Sequence, residues 1–139
     1  MALDEAGNLY GTTAGCSSTD YGTIWKVSPQ GNVTTLYNFA GGTSDGCDPH
    51  AGVTLDPNGN LYGVTSQCGT NNDGGFYELS ADGSYTVLHN FSGSDGAYPI
   101  GEVLLGKNGT LYGTTVAGSI GGCENFNYAG CGTVWKYVP

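Results

Sequence analysis

The sequence predicts an all-β repeat protein of about three β-propeller blades. Three observations predict it: a phrase that returns at a fixed period, four β-prone runs within each period, and turn residues at the joints. The phrase is Asn8-Leu9-Tyr10-Gly11-Thr12-Thr13. It returns as Asn60-Leu61-Tyr62-Gly63-Val64-Thr65 and as Thr110-Leu111-Tyr112-Gly113-Thr114-Thr115, with its tyrosines 52 and 50 residues apart. A period of that size marks an array in which each unit buries its faces only against its neighbours.

The second repeat displays the elements in order. Val53-Thr54-Leu55, Asn60 to Thr65, Gly75 to Leu79 and Tyr85 to Phe91 are short runs rich in β-branched and aromatic residues, the pattern of an antiparallel meander. Asp56-Pro57-Asn58-Gly59 and Ala81-Asp82-Gly83-Ser84 supply the residues that tight hairpins need at positive φ. No long segment is free of Gly and carries a 3.6-residue period, which argues against helix. Four strands in about 50 residues is the size of a propeller blade rather than of a solenoid coil. The chain reads as one repeat domain, 1–139, with blades at 2–39, 52–91 and 102–138, the last one strand short. Propellers close with roughly four to eight blades. Three are too few, so the reading is either a piece of a longer array or a homo-oligomer, a dimer first, closing a six-bladed ring. Met1-Ala2 joins a strand-like segment in mid-repeat, as a start placed on an excised or mature fragment would.

Other words recur in the same order: Gly22-Thr23-Ile24-Trp25-Lys26 with Gly132-Thr133-Val134-Trp135-Lys136, Leu36-Tyr37-Asn38-Phe39 with Leu88-His89-Asn90-Phe91, and Asp45-Gly46-Cys47-Asp48-Pro49 with Asp95-Gly96-Ala97-Tyr98-Pro99. With Asp56-Pro57-Asn58-Gly59-Asn60-Leu61-Tyr62-Gly63, they make the chain similar to the GloVer-type tandem repeats of secreted or surface-anchored microbial proteins. The resemblance covers nearly the whole chain. Gly106-Lys107-Asn108-Gly109 departs from it by losing the Asp, and Ile100-Gly101-Glu102 by replacing Ala-Gly. It implies extracellular or cell-surface placement and a propeller-like architecture, and it brings no catalytic residues.

Composition narrows the partners. A net charge of −9, from only three Lys and Arg together, argues against nucleic acid and against an anionic membrane. No stretch is long and apolar enough for membrane insertion, and the first residues do not read as a signal peptide. Five Cys in loops rich in Gly, Asn and Ser suit an oxidising compartment.

Successive antiparallel strands send tight turns to one end of the blades and long loops (14–21, 40–51, 66–74, 92–101 and 116–131) to the other. Loops on a rigid scaffold are where binding resides, so the long-loop face is the candidate site. There Tyr21, Tyr98, Phe126 and Tyr128 offer rings for stacking on sugars, with Asp48, Asp73 and Glu124 as polar partners. Cys47 and Cys68 flank one hairpin and are expected to bridge. Cys123 and Cys131 bracket the longest loop and form a second expected bridge, which leaves Cys16 unpaired. Asp45 and Asp95 are repeat-equivalent; they read as Asx-turn residues, with a Ca²⁺ site as the alternative. No other cofactor is expected. His50 and His89 read as incidental, and the strand aromatics Trp25, Trp135, Tyr37, Tyr10, Tyr62 and Tyr112 as packing between blades. No nucleophile, phosphate-loop or dinucleotide motif occurs, so the reading leans away from an enzyme and assigns no catalytic residue. The expected function is a carbohydrate-binding or adhesion module, with a self-assembling structural repeat and a polysaccharide-active enzyme as alternatives.

Overall fold

The computed structural model describes residues 1–15, 19–119 and 130–139, and the backbone of 124–125 and 128–129. Three antiparallel sheets follow one another along the chain. The first is a meander of β1 (Ala2–Leu3), β2 (Leu9–Thr13), β3 (Thr23–Val27) and β4 (Val33–Asn38). The second repeats it with β6 (Thr54–Leu55), β7 (Leu61–Thr65), β9 (Gly75–Leu79) and β10 (Tyr85–Asn90), and the third holds β11 (Leu104–Leu105), β12 (Leu111–Thr114) and β15 (Val134–Tyr137). Two short pairs lie in the long loops: β5 (Gly46–Cys47) with β8 (Gln67–Cys68), and β13 (Glu124–Asn125) with β14 (Tyr128–Ala129).

The tight turns are built as their residues require. Asp56 accepts hydrogen bonds from the Asn58 and Asn60 amides at 2.9 and 2.8 Å and from the Asn60 side chain at 3.0 Å, while Gly59 takes φ +89°. Asp4 does the same for Asn8 and adds the Tyr10 hydroxyl at 3.0 Å. Where the third repeat lacks the Asp, a 3-10 turn at Lys107–Gly109 takes over, with Asn108 and Gly109 both at positive φ.

The glycine of the recurring phrase answers to its cross-strand neighbour. Gly11 pairs with Trp25, Gly63 with Tyr77 and Gly113 with Trp135. In each case the aromatic ring lies across the glycine so closely that a β-carbon there would overlap it. Large and small residues thus interdigitate on one face of every sheet.

Because side chains alternate along a strand, each sheet has one face toward the preceding sheet and one toward the following sheet. Leu61, Tyr77 and Leu79 of the second sheet join Ile24 and Phe39 of the first in one buried cluster. Tyr62, Val64 and Phe76, on its other face, join Leu111, Trp135 and Tyr137 in another. The second sheet is therefore covered on both faces, and every residue of β7 is buried.

Among the described residues the end sheets are covered on one face only, and equivalent residues record the difference. Leu61 and Leu111 are 2% and 0% exposed, whereas Leu9, at the same repeat position, is 41% exposed. On the opposite face Ile24 and Phe76 are 0% and 1% exposed and Val134 is 82% exposed. This corrects the expectation that all six strand aromatics pack between sheets. Tyr112 is exposed on the outward face of the third sheet, and Trp25 shares the outward face of the first with Leu9; each lacks the neighbour its counterparts have.

The Tyr77 hydroxyl is buried with no hydrogen-bond partner among the described residues. Burying a hydroxyl unpaired costs about 1–3 kcal/mol. Tyr77→Phe is therefore expected to raise stability, by about 1 kcal/mol, measured as a higher urea midpoint at unchanged slope.

Candidate functional site

The long-loop end is organised by two sets of repeat-equivalent ties. In the first, Asp45 accepts from the Tyr37 hydroxyl at 3.0 Å and from the amides of Ala40 and Gly46, each at 2.7 Å. Asp95 accepts from His89 Nε2 at 2.7 Å, from the Ser92 amide at 2.8 Å and from the Ser92 hydroxyl at 3.0 Å. Both carboxylates hold their loops to the preceding strand, which corrects the Asx-turn expectation: they reach back along the chain to Tyr37, Ala40, His89 and Ser92 and not to an amide two residues on. His89 is not incidental: it stands where the first repeat has Tyr37 and does the same work. Burial raises the Asp95 carboxyl, but the Ser92 bonds and His89 outweigh it and hold it below the usual carboxylate range.

The second set strings neighbouring loops together through the backbone. The Asp48 amide donates to Tyr21 O and its carbonyl accepts from Ser66, at 3.0 and 3.1 Å. In the next repeat the Tyr98 amide donates to Asp73 O and its carbonyl accepts from Val116, at 3.0 and 3.2 Å. Asp48 and Tyr98 both sit at positive φ, 57° and 55°, ahead of the buried Pro49 and Pro99. Four of the candidate residues are thus two repeat positions seen twice. Burial and the nearby Asp95 charge push the Asp73 carboxyl up.

Cys47 and Cys68 form the expected disulfide, with Cα atoms 5.4 Å apart, and their short strands pair beside it. The equivalent place in the next repeat has an Ala97–Ala117 bridge instead. Cys131 is also disulfide-bonded. Cys16, Cys123 and Phe126 lie outside the described residues, and Glu124 and Tyr128 are placed only as backbone of β13 and β14. Among the described residues no three His, Cys, Asp or Glu side chains converge as a metal site.

Both tie sets place equivalent residues in equivalent roles, so the sheets are copies of one unit in their loops as well as in their strands. The whole chain, residues 1–139, matches the Gloeobacter/Verrucomicrobia repeat. The chain belongs to this repeat family. No curated protein matches it.

Two features of this Gloeobacter/Verrucomicrobia repeat chain lie away from the expected residues. At the tight-turn end the first strands of the three sheets, β1, β6 and β11, border a cavity of about 680 Å³ with Asp4, Glu5 and Asp56 at its wall. A second cavity, of about 280 Å³, lies between the second and third sheets and is bounded by His89, Phe91, Asp95 and Trp135. Neither announces itself in the sequence, because each is made by residues of different repeats.

The ties leave a pH signature. Burial, reinforced by Asp45, pushes the Tyr37 hydroxyl up to about 12, and burial with the Glu78 charge does the same for Tyr62. Burial also raises Tyr77, and burial with Asp45 raises Tyr85. These phenols are held neutral in the folded chain, so the stability they contribute is complete below the ordinary tyrosine value of about 10 and is lost progressively as pH rises above it. Melting temperature is expected to fall steeply above pH 10, with phenolate absorbance at Tyr37 and Tyr62 appearing only near pH 12 and that at Tyr77 and Tyr85 only on unfolding.

Proposed function

We propose that this chain is a non-catalytic scaffold module that associates with a second copy of itself, the outward face of the third sheet of one copy docking on the outward face of the first sheet of the other. One observation carries the reading. The first sheet's open face (Leu3, Leu9, Trp25, Val33) is the repeat copy of surfaces that the second and third sheets bury against a preceding sheet. The third sheet's open face (Leu104, Tyr112, Val134) is the repeat copy of surfaces that the first two bury against a following sheet. Leu3, Val33, Leu104 and Val134 are 64%, 70%, 66% and 82% exposed. Apolar faces left open in this way favour association. The contact is heterologous, and two copies close a ring of six sheets, within the propeller range. The disulfides support an oxidising, extracellular setting. Light scattering is expected to return twice the chain mass of 14.2 kDa. Val134→Glu is expected to halve it while the far-ultraviolet circular dichroism stays that of the unaltered fold, with the melting temperature lowered only by the loss of the subunit contact. A single-chain mass for the unaltered protein would refute the reading.

Glycan binding at the long-loop face is the second reading. It is favoured by the backbone bond that sets partly exposed Tyr98 beside Asp73, a ring and a carboxylate together. Binding on a glycan array that Tyr98→Ala abolishes would support it, and an array without hits would count against it.

A further inference from the structure

The 280 Å³ cavity between the second and third sheets has a filled counterpart one repeat earlier. Between the first and second sheets, Tyr85 of β10 stacks on Tyr37 with centroids 4.0 Å apart and planes 9° apart. It also touches Phe39 at 5.9 Å and Tyr77 at 5.5 Å. The repeat equivalents of Tyr37, Phe39, Tyr77 and Asp45 are His89, Phe91, Trp135 and Asp95, and all four border the cavity. The two walls even share their ring geometry. Tyr37 meets Phe39 edge-on at 5.4 Å and 82°, and His89 meets Phe91 edge-on at 4.9 Å and 83°. Trp135 Nε1 is buried there with no partner among the described residues.

What differs is the filler. Tyr85 comes from the fourth strand of the second sheet, whereas the third sheet has β15 at its edge, with no strand on the other side among the described residues. An edge strand presents a row of free N–H and C=O groups to an incoming chain.

We propose that this cleft takes up an extended strand that residues 1–139 do not themselves supply, bearing a tyrosine and added antiparallel along β15 so that the ring enters the cavity over His89 and Phe91. The register follows from β9 and β10, where Tyr85 lies opposite Leu79 and Val87 opposite Tyr77. The incoming tyrosine lies opposite Tyr137, and the residue two places on lies opposite Trp135. The partner is a strand of the fourth-strand type, with a leucine three residues and a phenylalanine six residues after the tyrosine, as in Tyr85-Thr86-Val87-Leu88-His89-Asn90-Phe91. The site stands on repeat equivalence and goes beyond self-association, which uses the opposite face of the third sheet.

The test is calorimetric titration of the 139-residue chain with a synthetic peptide of the sequence of residues 84–91, the mass of the chain being recorded in parallel. One-to-one binding is expected, weakened about tenfold or more when the peptide's tyrosine is replaced by serine. Slowed hydrogen exchange at residues 134–137 is expected on binding. His89→Trp, which fills the cavity, should abolish binding while melting shows the fold intact. Absence of binding at about 1 mM peptide, equal binding of the serine peptide, or undiminished binding to folded His89→Trp would each overturn the proposal. None of these outcomes depends on whether the parallel mass is that of one chain or two.

Discussion

Gly63→Ala is expected to cost about 3 kcal/mol or more, at or beyond the upper end of ordinary overpacking. The added methyl would meet the Tyr77 hydroxyl end of a ring that is itself 1% exposed and wedged between two sheets. Neither side can give way. Tyr77 meets Phe39 and Tyr85 at ring distances of 5.4 and 5.5 Å, and β7 is buried along its whole length. Gly83→Ala is the control. Gly83 has open space around it and only a positive φ of 90° to lose, so about 1 kcal/mol is expected from backbone strain alone. Urea denaturation followed by circular dichroism separates the two. If Gly63→Ala costs no more than Gly83→Ala, the ring-over-glycine account of the recurring phrase is wrong.

Removal of the Cys47–Cys68 disulfide, by Cys47→Ser together with Cys68→Ser, is expected to cost about 3 kcal/mol from loop-closure entropy, for a sequence separation of 21 residues. The bridge joins the loop that leaves the first sheet to the loop that follows β7 in the second. Its loss should therefore loosen that junction more than the rest. Hydrogen exchange at Gly69, whose amide donates to Gly42 O and Asp45 O, each at 2.9 Å, should speed up well before exchange at Ala97 and Ala117. A uniform change across both junctions would mean that the disulfide acts on the unfolded chain alone.

The strands, their antiparallel order and the turns were legible because they are local: Asp-x-x-Gly-Asn dictates a hairpin wherever it occurs. The Cys47–Cys68 pair was legible for the same reason, since one hairpin brings both ends together. Burial was not. Leu9, Leu61 and Leu111 sit in nearly identical words, and only their place in the stack makes the first exposed and the others buried. The role of the phrase's glycine was hidden, because it depends on which residue lies opposite on the next strand. His89 looked incidental until its equivalence to Tyr37 placed it on Asp95. The cavity at Trp135 was invisible, because it is defined by a ring that one junction has and the other lacks.

Mixing two blocked variants tests the stacking account most directly. Val134→Glu closes the open face of the third sheet, and Leu9→Glu that of the first. Alone, each is expected to scatter as a single chain of 14.2 kDa, since a head-to-tail ring needs both faces on each copy. Mixed, they retain one intact face each, and the account predicts a heterodimer of twice that mass, weaker than the ring because it has one contact instead of two. A mixture that stays monomeric while the unaltered chain is dimeric would contradict it.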